Sequence, residues 1–474
     1  MYRDTRSCRL GQIRHGSDSA VAERGGARRW QTVAYLVLLL SLAAVTGLDA
    51  QQSGTVAIKG GYLIDGNGGP PLQNSLILVE GNRITHVGTV ADTEIPAGAK
   101  VIDANGLTVM PGLFETHDHL IGATHGRYSE FFPDYRDRYQ EIALVSARQL
   151  LSAGVTSARD MGMPLDDAIA VKEAVESGRA LGPRLFVAGP FLQKSFSEYW
   201  GDVRWAVDGA DDARQKTRRL IEAGVDFIKV IQVADLTESE RAAIGDEAEK
   251  AGLHIAVHAS SVEELEAAVE MGALTVEHVG GGTRPLLKEK WVDLMVDNHI
   301  FWVPTSVVSK VYNITQAYPE RLDQPRLQRE LPDDLYRDIR ESWRFFSRLD
   351  YFDGAYWNRY HDDKIMQGHN AGVRILVGTD AGTPMNFHFD AMRNEMELLT
   401  EYGMEPMHVI MAATKYPPLL FGMEDELGTV EPGKYADIIL VDGNPLDHMS
   451  DLKNVVTVIK GGEVVVQDGS LVGR

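Results

Sequence analysis

The segment Val109-Met110-Pro111-Gly112-Leu113-Phe114-Glu115-Thr116-His117-Asp118-His119 decides how this chain is read. It is largely apolar and ends on two histidines that flank one residue. Side chains alternate with period two along a strand, so His117 and His119 share a face and can hold one metal ion together. Four more candidate ligands follow, each at or near the end of another short apolar run. Lys229 closes Val225-Asp226-Phe227-Ile228-Lys229, His258 ends His254-Ile255-Ala256-Val257-His258, and His278 ends Thr275-Val276-Glu277-His278. Asp380 sits in Arg374-Ile375-Leu376-Val377-Gly378-Thr379-Asp380-Ala381-Gly382. Imidazole and carboxylate suit zinc and similar divalent ions. In a parallel barrel the active-site residues come from the C-terminal ends of several strands, which is where each candidate falls.

Working outward, three more runs complete the set: Gly154 to Asp160, Arg184 to Gly189, and Ile300 to Pro304. Helix-like stretches such as Asp212 to Ala223 and Val262 to Met271 separate them. That alternation predicts parallel strands joined by crossover helices. Eight such units fit a closed barrel over 111–423. Residues 54–110 and 424–474 have a different texture: short strands and turns such as Glu80-Gly81-Asn82-Arg83 and Lys460-Gly461-Gly462-Glu463. Neither end has enough strands to bury a face alone, so the two are expected to join into one small β-sandwich. The expected fold class is therefore α/β, an eight-stranded parallel (β/α) barrel with a small β-sandwich built from the N- and C-terminal segments. One connection, 310–370, is long and rich in aromatic residues. It reads either as a lid on the active-site face or as a long surface helix packing on the barrel.

A chain of 474 residues is too long for one small core, which agrees with a barrel plus an accessory domain. The net charge of −21 argues against nucleic acid or an anionic membrane as the main partner, and the charges are interspersed as solubility requires. Arginines 24, 28 and 29 precede the apolar stretch Val33 to Val45, with small residues after it. This is the pattern of a secretory signal over 1–50, too short for a comfortable membrane span. The protein is thus expected to be secreted or periplasmic, without stable membrane insertion once the signal is removed. Cys8 is the only cysteine and lies in that segment, so cysteine nucleophiles and cysteine-ligated zinc are excluded from the mature chain.

Taken together, His117-Asp118-His119, Lys229, His258, His278 and Asp380 resemble the amidohydrolase superfamily. Val109 to Leu113 and Glu426 to Leu440 resemble its entry to strand one and its return to the small sandwich. Arg159-Asp160, Gly182-Pro183-Arg184, Glu277-His278 and Gly378 to Gly382 are similar to its imidazolonepropionase-like and Xaa-Pro-dipeptidase-like group. The resemblance implies two divalent metal ions, zinc being the expected metal. His117, His119 and Asp380 would hold the first and His258 and His278 the second. Lys229, carboxylated by carbon dioxide, would bridge them as a carbamate. A free ammonium cannot ligate a cation, whereas a carbamate offers two oxygens. Two ions lower the pKa of a bridging water and polarise a carbonyl. Asp380 would take the proton of that water and pass it to the leaving amine.

The expected function is a secreted metal-dependent amidohydrolase that cleaves an amide bond of a dipeptide or N-acyl amino acid by metal-activated hydroxide. Two alternatives stand beside it: hydrolysis of a cyclic amide, carbamate or urea-type small molecule, xenobiotics included, and a non-catalytic binding protein on the same barrel. Homo-oligomerisation is compatible with either. His125, six residues beyond the metal pair, and His388, after the last strand, are candidates for substrate contact. Tyr199, Trp200 and the aromatic insertion are candidates to line the pocket.

Overall fold

The structure, a computed structural model, describes residues 54–279, 284–350 and 360–472. The segment read as a signal lies outside these residues, as does 351–359 of the insertion. Among the described residues no helix is long and apolar enough to cross a membrane.

The decisive segment is two strands, not one. Thr108–Pro111 belongs to a six-stranded sheet, and Leu113–Asp118 starts a parallel one. The break falls at Gly112, where a Cβ would lie 2.2 Å from Thr156 Oγ1, so only glycine lets the chain pass this close to the neighbouring strand. The six-stranded sheet is woven from both ends of the chain. Thr108–Pro111 pairs in parallel with Tyr62–Leu63 and antiparallel with Ile438–Val441, and Val455–Lys460, Glu463–Gln467 and Ser470–Leu471 continue it. The N-terminal segment also builds a complete four-stranded sheet of its own from Val56–Lys59, Ser75–Glu80, Arg83–Thr89 and Lys100–Asp103. Ile58, Ile77 and Val79 of one sheet and Val109, Ile438, Leu440 and Ile459 of the other share one buried cluster. That shared face is why the two ends combine: each buries apolar surface that neither could cover alone.

The parallel strands form two sheets. Leu113–Asp118, Val155–Asp160 and Arg184–Val187 make the first. The second runs through Ile228–Val230, Ile255–Ala259, Thr275–His278, Phe301–Val303 and Arg374–Ile375. Backbone hydrogen bonds join the two sheets at both junctions, Asp226 N to Val187 O at 2.9 Å and Thr116 N to Val377 O at 3.2 Å. Asp118 also bridges Ala381 in parallel. All eight runs read from the sequence fall on these strands. Two further strands, Phe191–Gln193 and Arg204–Ala206, extend the second sheet beyond Ile228–Val230. They are only three residues each, too short to leave a periodic signal.

The long insertion is mostly helical in its described parts: Ser306–Ala317, Pro325–Glu330, Asp333–Ser342 and His361–Asn370. It packs on the loop after the first parallel strand. The Trp343 indole donates to Thr124 O at 2.9 Å, and Gly126 N donates to Ser342 Oγ at 2.8 Å.

Candidate metal centre and substrate cavity

Four strand ends and one loop bring the six candidate ligands to one cavity of about 720 Å³. His117, His119 and Asp380 present ligand atoms that all lie within 4.8 Å of one another. Asp380 Oδ1 is 3.0 Å from His119 Nε2 and 3.5 Å from His117 Nε2. The His278 ring lies 4.8 Å from that of His117 and 4.5 Å from that of His258. Lys229 is 2% exposed, and its Nζ has no hydrogen-bond partner among the described residues. A buried polar atom in that state is rare unless something else serves it.

The outer nitrogens of the histidines are already engaged. His117 Nδ1 donates to Glu277 Oε2 at 2.7 Å. His258 Nε2 pairs with Ser260 Oγ at 3.0 Å and His278 Nδ1 with Thr305 Oγ1 at 2.7 Å. One ring nitrogen of each therefore remains, and the partner fixes the tautomer, as metal-ligating histidines require. Burial pushes the pKa of His258 down to about 3 and that of His278 well below the usual imidazole range, aided by neighbouring positive groups. Both rings are neutral at physiological pH, the form that binds a metal. Burial alone would raise the Asp380 carboxyl, but the His117 and His119 imidazoles beside it hold it well below the ordinary carboxylate range. Burial lowers Lys229 to about 8, so more of the amine is neutral near neutral pH than in an exposed lysine.

Behind this group stands a buried ionic layer that the sequence reading used only as marks of resemblance. Glu277 accepts from Arg159 Nη2 at 2.8 Å as well as from His117, and both charged residues are fully buried. Glu115 accepts from the backbone and hydroxyl of Thr379 at 2.9 and 2.7 Å and from His117 N at 2.8 Å. It thereby ties the end of the first parallel strand to the loop that carries Asp380. His278, Thr305 and Asp380 all hold positive φ, at 72°, 49° and 55°. Non-glycine residues adopt this conformation where surrounding structure enforces it, often at functional sites.

The remaining candidates fall elsewhere. His125 is buried against Phe131 and does not line the cavity; its Nε2 is 3.3 Å from Asp338 of the insertion. His388 does not line it either and sits 3.5 Å from Asp118 Oδ1 and 3.3 Å from the His119 carbonyl. Both support the loops around the site. Their sequence positions suggested proximity, but contact depends on side-chain direction, which loop sequence does not encode. Trp200 lines the cavity and Tyr199 does not, and the insertion contributes His361. Arg204, Phe132 and Tyr128 also line it and were not anticipated.

Parallel strands that gather histidines, a buried lysine and an aspartate at one end define a metal-dependent hydrolase. A model of the amidohydrolase family matches residues 108–465, and the chain belongs to that family, whose chemistry is hydrolysis at carbon–nitrogen bonds. It is 26% identical over 469 residues to a 5-methylthioadenosine/S-adenosylhomocysteine deaminase of Symbiobacterium thermophilum, covering 88% of this chain and 93% of that one. It is 22% identical over 429 residues to an adenine deaminase of Rubrobacter xylanophilus, covering 89% of this chain but only 58% of that longer protein. Among solved structures, a Xaa-Pro dipeptidase with bound methionine in the active site superposes with a TM-score of 0.70 at 26% identity, covering 87% of this chain and 99% of that one.

Proposed function

We propose that the protein hydrolyses the amide bond of a dipeptide or N-acyl amino acid at a centre of two divalent ions, in a closed eight-stranded barrel. The observation that carries this reading is the convergence of His117, His119 and Asp380 ligand atoms within 4.8 Å. The partnerless buried amine of Lys229 lies in the same cavity. The donor set fits two ions: His117, His119 and Asp380 would hold one, His258 and His278 the other, and a carboxylated Lys229 both. Carboxylation forms a bond from the neutral Nζ to the carbon of carbon dioxide and releases one proton. When bound, divalent ions acidify water and polarise a carbonyl.

The chain's own groups supply the rest. Glu277 orients His117, and Thr305 and Ser260 orient His278 and His258. Asp380 takes the proton of the attacking water and delivers it to the departing nitrogen. A carbon–oxygen bond forms as the carbon–nitrogen bond breaks, so the products are a carboxylate and an amine. The dipeptide reading is supported by the similarity to a dipeptidase whose active site holds methionine. The aromatic wall formed by Phe132, Tyr128 and Trp200 favours a second reading, an apolar cyclic amide, carbamate or urea. We also read the apolar stretch Val33 to Val45 as an export signal, which places the activity outside the cytoplasm.

The test combines elemental analysis of gently purified protein with a substrate panel of dipeptides, N-acyl amino acids, cyclic amides and ureas. The expected result is more than one equivalent of metal and turnover of the first two classes. A fully active enzyme holding a single ion would defeat the binuclear assignment, and turnover confined to cyclic amides or ureas would defeat the dipeptide reading.

A further inference from the structure

Arg204 and Lys229 are the two cationic side chains among the residues lining the cavity. Only Arg204 keeps its charge whatever happens at the metal centre, because a guanidinium does not deprotonate and forms no carbamate. Its position is fixed from two sides. The guanidinium carbon lies 3.5 Å from the centroid of the Trp200 ring, and Nη1 donates to Gln193 Oε1 at 3.1 Å. Gln193 Nε2 in turn donates to Gln232 Oε1 at 3.2 Å, in the loop just past Lys229. The strand Arg204–Ala206 places the arginine directly opposite Phe191. The Phe191 ring stands 5.8 Å from the His119 ring and 5.5 Å from the Arg204 guanidinium carbon. The cation is therefore one aromatic ring removed from a metal ligand.

Apolar surface surrounds this arrangement. The Phe132 and Trp200 rings are 4.6 Å apart and those of Tyr128 and Trp200 are 5.4 Å apart. In such surroundings a fixed guanidinium attracts a carboxylate more strongly than it would in water, and its N–H fork can donate to both oxygens. Glu264, the one lining carboxylate besides Asp380, is committed to capping the helix Val262–Glu270 through the amides of Ser260 and Ser261. Its carboxylate is turned to those amides.

We propose that Arg204 is the receptor for a free carboxylate on the leaving half of the substrate, with an apolar side chain of that half resting on the Tyr128, Phe132 and Trp200 wall. The substrates are then amides whose amine component is a hydrophobic α-amino acid. This rests on the amide-hydrolase reading above and names which half of the substrate is recognised and by what.

The experiment has two arms, both on the metal-replete full chain. The first compares hydrolysis of Ala-Phe with that of Ala-Phe amide, which differ only in the terminal carboxylate. Losing one partner of a desolvated, hydrogen-bonded charge pair costs about 2–5 kcal/mol, so kcat/KM for the acid should exceed that for the amide by about 30-fold or more. Arg204→Met, which keeps an apolar stem against Trp200, should bring that ratio close to one at wild-type metal content, mainly through KM on the acid. Arg204→Lys should fall between. The second arm reads binding without turnover: calorimetric titration with 3-phenylpropionate and with neutral 3-phenylpropanol. Wild type should prefer the carboxylate, and Arg204→Met should lose that preference. Equal hydrolysis of acid and amide by wild type overturns the proposal. So does carboxylate binding that survives Arg204→Met, which would place the anion on the metal. Failure to hydrolyse either dipeptide while the Arg204-dependent binding persists overturns the dipeptide reading and supports the receptor.

Discussion

At the scale of single residues, the candidate metal ligands line one cavity and are expected to do different work there. Lys229→Ala removes the only buried amine there. The second metal and most activity should be lost, with partial rescue by short carboxylic acids that stand in for a carbamate; Lys229→Arg should not rescue, since its guanidinium stays cationic. Normal metal content and turnover in Lys229→Ala would rule out the bridge. Asp380→Asn keeps size but removes the base. Its kcat should drop at least roughly 10²-fold while the fold and at least one metal persist, because the proton moves in the transition state. Stopped-flow turnover beside metal analysis reads this directly. The six candidate ligands stood out in the sequence because each lies at or near the end of an apolar run, a pattern that strand geometry creates, and the structure brings them to one cavity. Arg159, Glu115 and Glu277 were not legible as site residues, since a buried ion pair and an interstrand carboxylate leave no periodic trace. His125 and His388 do not line the cavity, because short sequence distance from a candidate ligand does not fix side-chain direction.

At the scale of elements, the strands of the parallel sheets were readable as apolar runs and the helices as amphipathic stretches. Val262–Glu270 and Ala210–Ala223 fall within two residues of the expected spans. The change of sheet at Gly112 lies one residue beyond the expected boundary at 110/111, and the three-residue strands around Arg204 were not read at all. The helix Glu238–Ala251 shows how a terminus can be anchored. Thr237 and Glu240 form a reciprocal capping box, and the Glu240 carboxylate also takes Lys194 Nζ at 2.6 Å and Gly209 N at 2.7 Å. Burial would raise the Glu240 pKa, but these donors outweigh it and hold it at about 2. A depressed carboxylate stabilises the fold fully above its unfolded pKa near 4.5 and loses that contribution as pH falls towards 2. Glu240→Gln should therefore lower Tm at pH 7, by an amount on the scale of a lost helix cap, roughly 1 kcal/mol or more. The gap to wild type should close between pH 4.5 and pH 2; a gap independent of pH across that window would show that packing, not charge, is what the substitution disturbs.

At the scale of the whole molecule, the shared small sandwich was legible from texture alone, because strand-and-turn segments at both ends lack enough strands to close separately. The complete N-terminal sheet was not, since pairing between short strands is set by register rather than composition. Deleting residues 436–474 should leave the edge of Thr108–Pro111 unpaired and expose Val109 and Ile58 from the shared cluster. The truncated chain should aggregate on expression, with size-exclusion chromatography as the readout; a monomeric, active truncation would show that the sandwich is dispensable. The same weave has a temporal meaning. As the chain leaves the ribosome, Thr108–Pro111 appears long before its antiparallel partner Ile438–Val441. For most of synthesis the growing polypeptide carries an open, apolar β-edge, the kind of surface that invites pairing with other chains. Because this closing contact is so distant in sequence, loop closure opposes it, and the edge stays open until the partner strand arrives.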